Sequence, residues 1–193
     1  MEEANALAGA QTIRFNLPDG DTVIFPAAAL PVISGAVTID GTSQPAFDGG
    51  KPVVRVDGSS LAAGPAVSGF RNAPGVSATI KGLQILRFTN HGIENFGNLA
   101  LDHLEVAVNQ ASGIDSSVAA GSINISLTNS TVFENAGPGV NGVNTNFTMD
   151  YVTMDRNTGG GLRVTGGSLV LDHGGVADNA LFADGGGIFL SMA

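Results

Sequence analysis

A glycine followed by an aliphatic residue recurs through the second half of the chain, at Gly92-Ile93, Gly113-Ile114, Gly139-Val140, Gly161-Leu162 and Gly187-Ile188, with spacings of 21, 26, 22 and 26 residues. A repeat of this length constrains the fold more than any single motif, because each unit must bury its apolar face against the next. Aligned on these glycines, Leu101, Leu127, Met149 and Leu171 form one column, and Val106, Val132, Met154 and Val176 a second. Asn109, Asn135, Asn157 and Asn179 form a third.

Each unit reads as three short alternating runs, such as Ser168-Leu169-Val170-Leu171-Asp172, Gly174-Gly175-Val176 and Gly187-Ile188-Phe189-Leu190. Period-2 runs of this length bounded by Gly, Asn and Asp are strands. Three strands per turn, with equivalent strands stacked in parallel about 4.8 Å apart, describe an all-β, right-handed parallel β-helix. A leucine-rich repeat is the rival, since Leu101-x-x-Leu104-x-Val106-x-x-Asn109 fits its pattern. The remainder of the unit, Thr158 to Ser168, reads TGGGLRVTGGS and lacks the leucines such a repeat places there.

The reading gives one domain over residues 1–193, with irregular rungs at 1–77, regular ones at 78–193, and seven or eight rungs in all. In the irregular part, Ala36–Gly41, Val53–Gly58 and Ala78–Gly82 read as successive strand-then-turn units, with long turns at Thr42–Pro52 and Ser59–Pro74. Met1 to Ala8 reads as a short helix that covers the first rung.

Charge narrows the partners. Asp plus Glu number 17 against 8 Lys plus Arg, and the basic residues are scattered, so no stripe tracks a phosphate backbone and nucleic acid is excluded as a partner. The longest uncharged apolar stretch, Phe25 to Ile39, is broken by Pro26, Pro31 and Gly35 and is shorter than the ~20 residues of a membrane-spanning helix. With no Cys, disulfides and thiolate metal sites are absent.

Val132-Phe133-Glu134-Asn135, Met154-Asp155-Arg156-Asn157 and Val176-Ala177-Asp178-Asn179, with Gly159-Gly160-Gly161-Leu162 and Gly185-Gly186-Gly187-Ile188, resemble the FxxN and GGxI repeats of chlamydial polymorphic outer-membrane proteins and of the wider pectin-lyase-like β-helix superfamily. The segments NALAGAQTIRFNLP and LPVISGAVTIDGTSQP resemble the N-terminal part of large bacterial secreted β-helix proteins. The resemblance implies the scaffold and a secreted or cell-surface location. It implies little about activity, since adhesins, autotransporter passengers, lyases and glycosidases share that scaffold.

The Asn column reads as structural: Asn tolerates a left-handed turn, and stacked amides can bond rung to rung. Glu134, Arg156 and Asp178 read as an outward, alternating-charge column on a solvated face. The column open to function follows the first strand: Asp40, Asp57, Lys81, Asp102, Thr128, Asp150 and Asp172, beside His103, Asn129, Tyr151 and His173.

Within that column Asp102, Asp150, Asp172, His103, Tyr151 and His173 are the expected binding surface. Asp150 and Asp172 should stand about 4.8 Å apart, where two carboxylates repel unless solvated or bridged, so Ca²⁺ is the one cofactor to expect there. The alternative for each Asp is that it merely starts the following turn. A carbohydrate-active enzyme would draw on Asp102, Asp150, Asp172 and Lys81, by analogy with a lyase using Ca²⁺ and a base or a glycosidase using two carboxyls about 6.5–9.5 Å apart. No Arg neighbours Asp150 or Asp172, so the base is missing. The expectation is a noncatalytic stalk or adhesive segment whose partners are a polysaccharide or a host or cell surface. The chain also reads as part of a longer protein, since strand-like residues run to its end at Ile188–Ala193 and no secretion signal opens it. Further rungs of the parent chain are then its neighbours.

Overall fold

The computed structural model describes residues 1–18, 20–61, 64–180 and 186–191. It is an all-β parallel solenoid whose strands fall into three stacks. The first stack runs through Gln11–Arg14, Val37–Asp40, Ser77–Lys81 and Asn98–Asp102, and on through parts of the long strands Ile123–Phe133, Val140–Asp155 and Leu162–Asp172. The second includes Val54–Asp57, Leu83–Leu86, Glu105–Ala107 and Gly175–Ala177. The third includes Phe70–Asn72, Ile93–Asn95, Ile114–Ser117 and Ile188–Ser191. Among the described residues these pairings stack seven strands in the first stack, the long strands turning the corner between stacks without a break.

The aligned columns are the register. Leu101 pairs with Leu127, Leu127 with Met149 and Met149 with Leu171; Val106, Val132, Met154 and Val176 do the same in the second stack. Strand alternation sends these side chains inward, where Leu127, Met149, Val132 and Met154 are fully buried. Leu171 and Val176 face the same interior but are only half-buried, being in the last rung. The N-terminal helix, Glu2–Ala6, packs Met1 and Ala4 against the core beside the first rung, as expected.

The early segments stack differently from the expectation. Val37–Asp40 pairs directly with Ser77–Lys81, about forty residues on, because the loops after each strand of this rung lengthen it. Val54–Asp57 is the second-stack strand of that same rung, pairing with Leu83–Leu86. Asp57 therefore leaves the functional column: it is fully buried at the second corner, where it pairs with Arg87 and accepts from the Ser59 backbone N–H at 3.0 Å. Lys81 stands between Asp40 and Asp102, and its ammonium bonds Asp40 at 3.2 Å.

No helix among the described residues is long and apolar enough to cross a membrane. Of the C-terminal residues on which the open-end expectation rests, Met192 and Ala193 lie outside the described ones, as does Gly185 of the last Gly-rich turn.

Candidate functional site

Two corners carry the polar chemistry. At the second, each turn holds one non-glycine residue in the left-handed region: Arg87, Val108, Glu134, Arg156 and Asp178, with φ between 51° and 58°. The turn residue is thus the one before each Asn, not the Asn itself. This frees the Asn side chain to point inward. Asn109, Asn135 and Asn157 are buried and linked, each Nδ2 donating to the next Oδ1 at 2.9, 3.0 and 3.0 Å, with Asn179 ending the series. Each Oδ1 also accepts the backbone N–H of the Asn one rung earlier. The ladder ties each turn to the next through buried amides. Outside it Arg156 bonds Glu134 at 3.0 Å and also Asp155, which is the solvated alternating column.

The first corner turns on Gly82, His103, Asn129, Tyr151 and His173, all with φ between 42° and 66°. This backbone directs a run of side chains outward beside Asp40, Lys81, Asp102, Thr128, Asp150 and Asp172, which are registered one above another. The expected column therefore exists, without Asp57.

Its carboxylates have different surroundings. Asp40 accepts from Thr42 Oγ1 at 2.5 Å and pairs with Lys81. Asp102 accepts from Thr128 Oγ1 at 2.7 Å and Asn129 Nδ2 at 2.9 Å, and lies 2.8 Å from His103 Nδ1. Burial alone would raise these two carboxyls, but the hydrogen bonds outweigh it and hold both below the usual range. Asp150 and Asp172 have instead the imidazole of His173, whose Nδ1 lies 3.1 Å from Asp150 Oδ1 and 3.3 Å from Asp172 Oδ1. The Tyr151 ring stacks on that imidazole, centroids 4.7 Å apart and planes 4° from parallel. Tyr151 is 60% exposed. Asp150, Tyr151, Asp172 and His173 thus form one cluster. His103 sits with Asp102, two rungs from Asp150 and three from Asp172, in a T-shaped contact with Phe47 at 5.7 Å.

Some of these contacts carry no signal in the sequence. Nothing in the residue pattern marks Thr128 and Asn129 as the donors that, with His103, occupy Asp102. A second buried ladder at the third corner, Asn72 to Asn95 at 2.8 Å, Asn95 to Ser116 at 3.1 Å and Ser116 to Thr145 at 3.3 Å, was not anticipated. Its signal is the third-position Asn shared by Phe70-Arg71-Asn72 and Ile93-Glu94-Asn95.

The surfaces flanking the first corner differ. One outward column of the first stack is Thr12, Thr38, Thr79, Ala100, Ser126, Thr148 and Val170, none of them ionisable, and a shallow groove of about 370 Å³ runs over Thr38, Thr79, Ala100 and Ser126. On the second stack a groove of about 530 Å³ lies between Lys51–Pro52 and Glu105, Thr131, Thr153 and Asp155. Its wall is held where Gln84 Nε2 donates to the Pro52 carbonyl at 3.0 Å.

Comparison with family models, curated proteins and solved structures finds no match to this chain.

Proposed function

We propose that the chain is a noncatalytic β-helix segment of a larger secreted or cell-surface bacterial protein, a stalk or adhesive surface whose first corner meets a polysaccharide or a host or cell surface. The likeness of its repeats to those of chlamydial polymorphic outer-membrane proteins and pectin-lyase-like β-helices belongs to the same reading. The observation that carries it is the chemistry of the outer face. One outward column of the first stack, Thr12 to Val170, carries no acid or base, and of the carboxylates in the column beside it Asp40 and Asp102, like Asp57 at the second corner, are held in the ionised form by fixed partners. General acid catalysis asks for the opposite, a carboxyl raised toward neutrality. The exposed Tyr151 and its neighbours suit contact instead, an aromatic face beside hydrogen-bonding groups on a rigid frame.

The second reading is a carbohydrate-binding module or a carbohydrate-active enzyme. The 530 Å³ groove favours it, because Glu105, Asp155, Lys51 and Arg156 bring acceptors and donors to one concavity. Incubation with a panel of uronans and neutral glycans separates the readings. The noncatalytic segment yields neither unsaturated products nor new reducing ends, while the immobilised chain retains glycan or whole cells. Turnover that disappears in Glu105→Gln or Asp155→Asn of the groove, or in Asp150→Asn or Asp172→Asn of the first corner, would overturn the first reading.

A further inference from the structure

The cluster at the first corner differs from an acidic patch in one respect. A nitrogen donor stands between its two carboxylates. His173 Nδ1 faces Asp150 Oδ1 at 3.1 Å and Asp172 Oδ1 at 3.3 Å, and single ligand atoms of all three residues lie within 4.8 Å of one another. Two ligands about 2.0–2.1 Å from a tetrahedral zinc ion stand about 3.3 Å apart, so the separations found suit two edges of such a site.

Three independent features hold the donors in place. Asp150 and Asp172 are directly registered on neighbouring parallel strands, which fixes their backbone separation at one rung. The Tyr151 ring lies flat on the imidazole and sets its plane, an aromatic contact made outside the ligand atoms. The His173 backbone N–H donates to Asp172 Oδ1 at 3.0 Å and orients that carboxylate. Elsewhere in the column the carboxylates are already occupied, Asp40 by Thr42 and Lys81, Asp102 by Thr128, Asn129 and His103. Asp150 accepts from no hydroxyl, amide, Lys or Arg side chain among the described residues.

We infer that Asp150, Asp172 and His173 form a binding site for a zinc-class divalent cation, with His173 Nδ1 as the nitrogen ligand and one oxygen from each carboxylate. The site rests on the reading of this corner as a contact surface, and gives that surface a metal through which acidic or hydroxylated groups of a partner can complete the coordination. It also selects the ion. Ca²⁺ takes six to eight oxygen ligands, whereas one imidazole with two carboxylates is a borderline donor set preferred by Zn²⁺, Co²⁺ and Ni²⁺. His173 binds as the neutral imidazole, its Nδ1 lone pair on the metal and its proton on Nε2. Tyr151 is a positioning residue.

The test is titration of the untagged full chain with ZnCl₂, CoCl₂ and CaCl₂, followed by calorimetry and by the ring ¹⁵N resonances of the three histidines. One Zn²⁺ should bind per chain, more tightly than Ca²⁺, and Nδ1 of His173 should shift while the rings of His91 and His103 do not. His173→Gln should weaken Zn²⁺ by at least the roughly 10–100-fold that loss of even an outer-shell partner costs. Asp150→Asn should weaken it too, and all three ligands are on the surface, so these variants should fold. Tyr151→Leu should weaken Zn²⁺ less than His173→Gln while the chain's thermal midpoint stays unchanged. Zn²⁺ binding untouched by His173→Gln, Ca²⁺ binding as tight as Zn²⁺, or no binding at all would each overturn the site. Cell or glycan retention that persists in EDTA would leave the contact-surface reading standing after the metal site had fallen.

Discussion

Nδ2 of Asn135 lies 3.0 Å from Oδ1 of Asn157, and that same oxygen accepts the Asn135 backbone N–H at 3.1 Å. One side-chain atom therefore satisfies two donors of the rung before it, inside a core that water does not reach. Asn135 also donates to the carbonyls of Val106 and Phe133, both at 3.1 Å. Removing the amide strands several buried groups at once. Each buried group left unpaired costs about 1–3 kcal/mol, so Asn135→Ala should lower unfolding stability by several kcal/mol. Asn135→Asp should be no better, since it removes the donors and adds a charge. Urea unfolding followed by circular dichroism checks both, and a midpoint equal to the parent's would remove the ladder from the account of stability.

The Gly-aliphatic signature has the same origin. A Cβ on Gly113 would come within 2.8 Å of Asn135 Nδ2, and one on Gly139 within 2.7 Å of Asn157 Nδ2. Gly92 and Gly161 meet Asn109 and Asn179 in the same way, at 2.8 and 2.9 Å, whereas Gly187, in the last rung, meets nothing among the described residues. The glycine column exists because the Asn ladder, the inward valines Val106, Val132 and Val176, which come still closer, and the carbonyl of the next glycine together occupy the space its side chains would take. Gly139→Ala should thus be destabilising, by about the 1–3 kcal/mol typical of overpacking, while Gly187→Ala should be close to neutral. Thermal unfolding of the pair checks the contrast. Equal effects would refute the interlocking.

Where rungs are 21 to 26 residues long, aligning the sequence was the same operation as finding the register, so the columns Leu101–Leu171 and Val106–Val176 were legible. In the first third, loops inserted within one rung break that equivalence, and a strand of the second stack, Val54–Asp57, passed for one of the first. The left-handed residue at the second corner carried no signal, because Val108, Glu134, Arg156 and Asp178 share no chemistry and any of them would pass for a surface residue. At the first corner the closeness of Asp150 and Asp172 followed from period alone. The imidazole of His173 reaching back to Asp150 did not, because a side-chain rotamer is set by the neighbouring ring of Tyr151 and not by spacing.

The core makes a sharper demand than the surface. Leu127 is fully buried between Leu101 and Met149, in the aliphatic column of the core. Leu127→Asp should cost several kcal/mol or force the carboxyl to stay protonated, against a typical total stability of about 5–15 kcal/mol. The variant should be insoluble or lack the β-type spectrum at neutral pH. Leu171→Asp should be milder, since Leu171 is only half-buried. A soluble, β-rich Leu127→Asp chain would contradict the interior assignment.

The last prediction concerns acid. Asp57 is fully buried; burial alone would raise its carboxyl, but Arg87 and the Ser59 backbone N–H hold it below the ordinary range. A carboxyl whose folded-state pKa lies below its unfolded value, about 3.9, adds stability that is fully present above that value and disappears as pH falls through the folded one. Asp40 and Asp102, also held low, act in the same direction. Stability should therefore be flat from neutral pH down to about 5 and then fall steeply below about 4. Asp57→Asn removes the most buried member of this set and leaves the Arg87 guanidinium without its partner. It should lower the thermal midpoint at pH 7 and flatten the slope of midpoint against pH below 4. Calorimetric scans of the two proteins from pH 2.5 to 7 read both effects. Parallel curves would show that the Asp57–Arg87 pair contributes nothing to the acid limb.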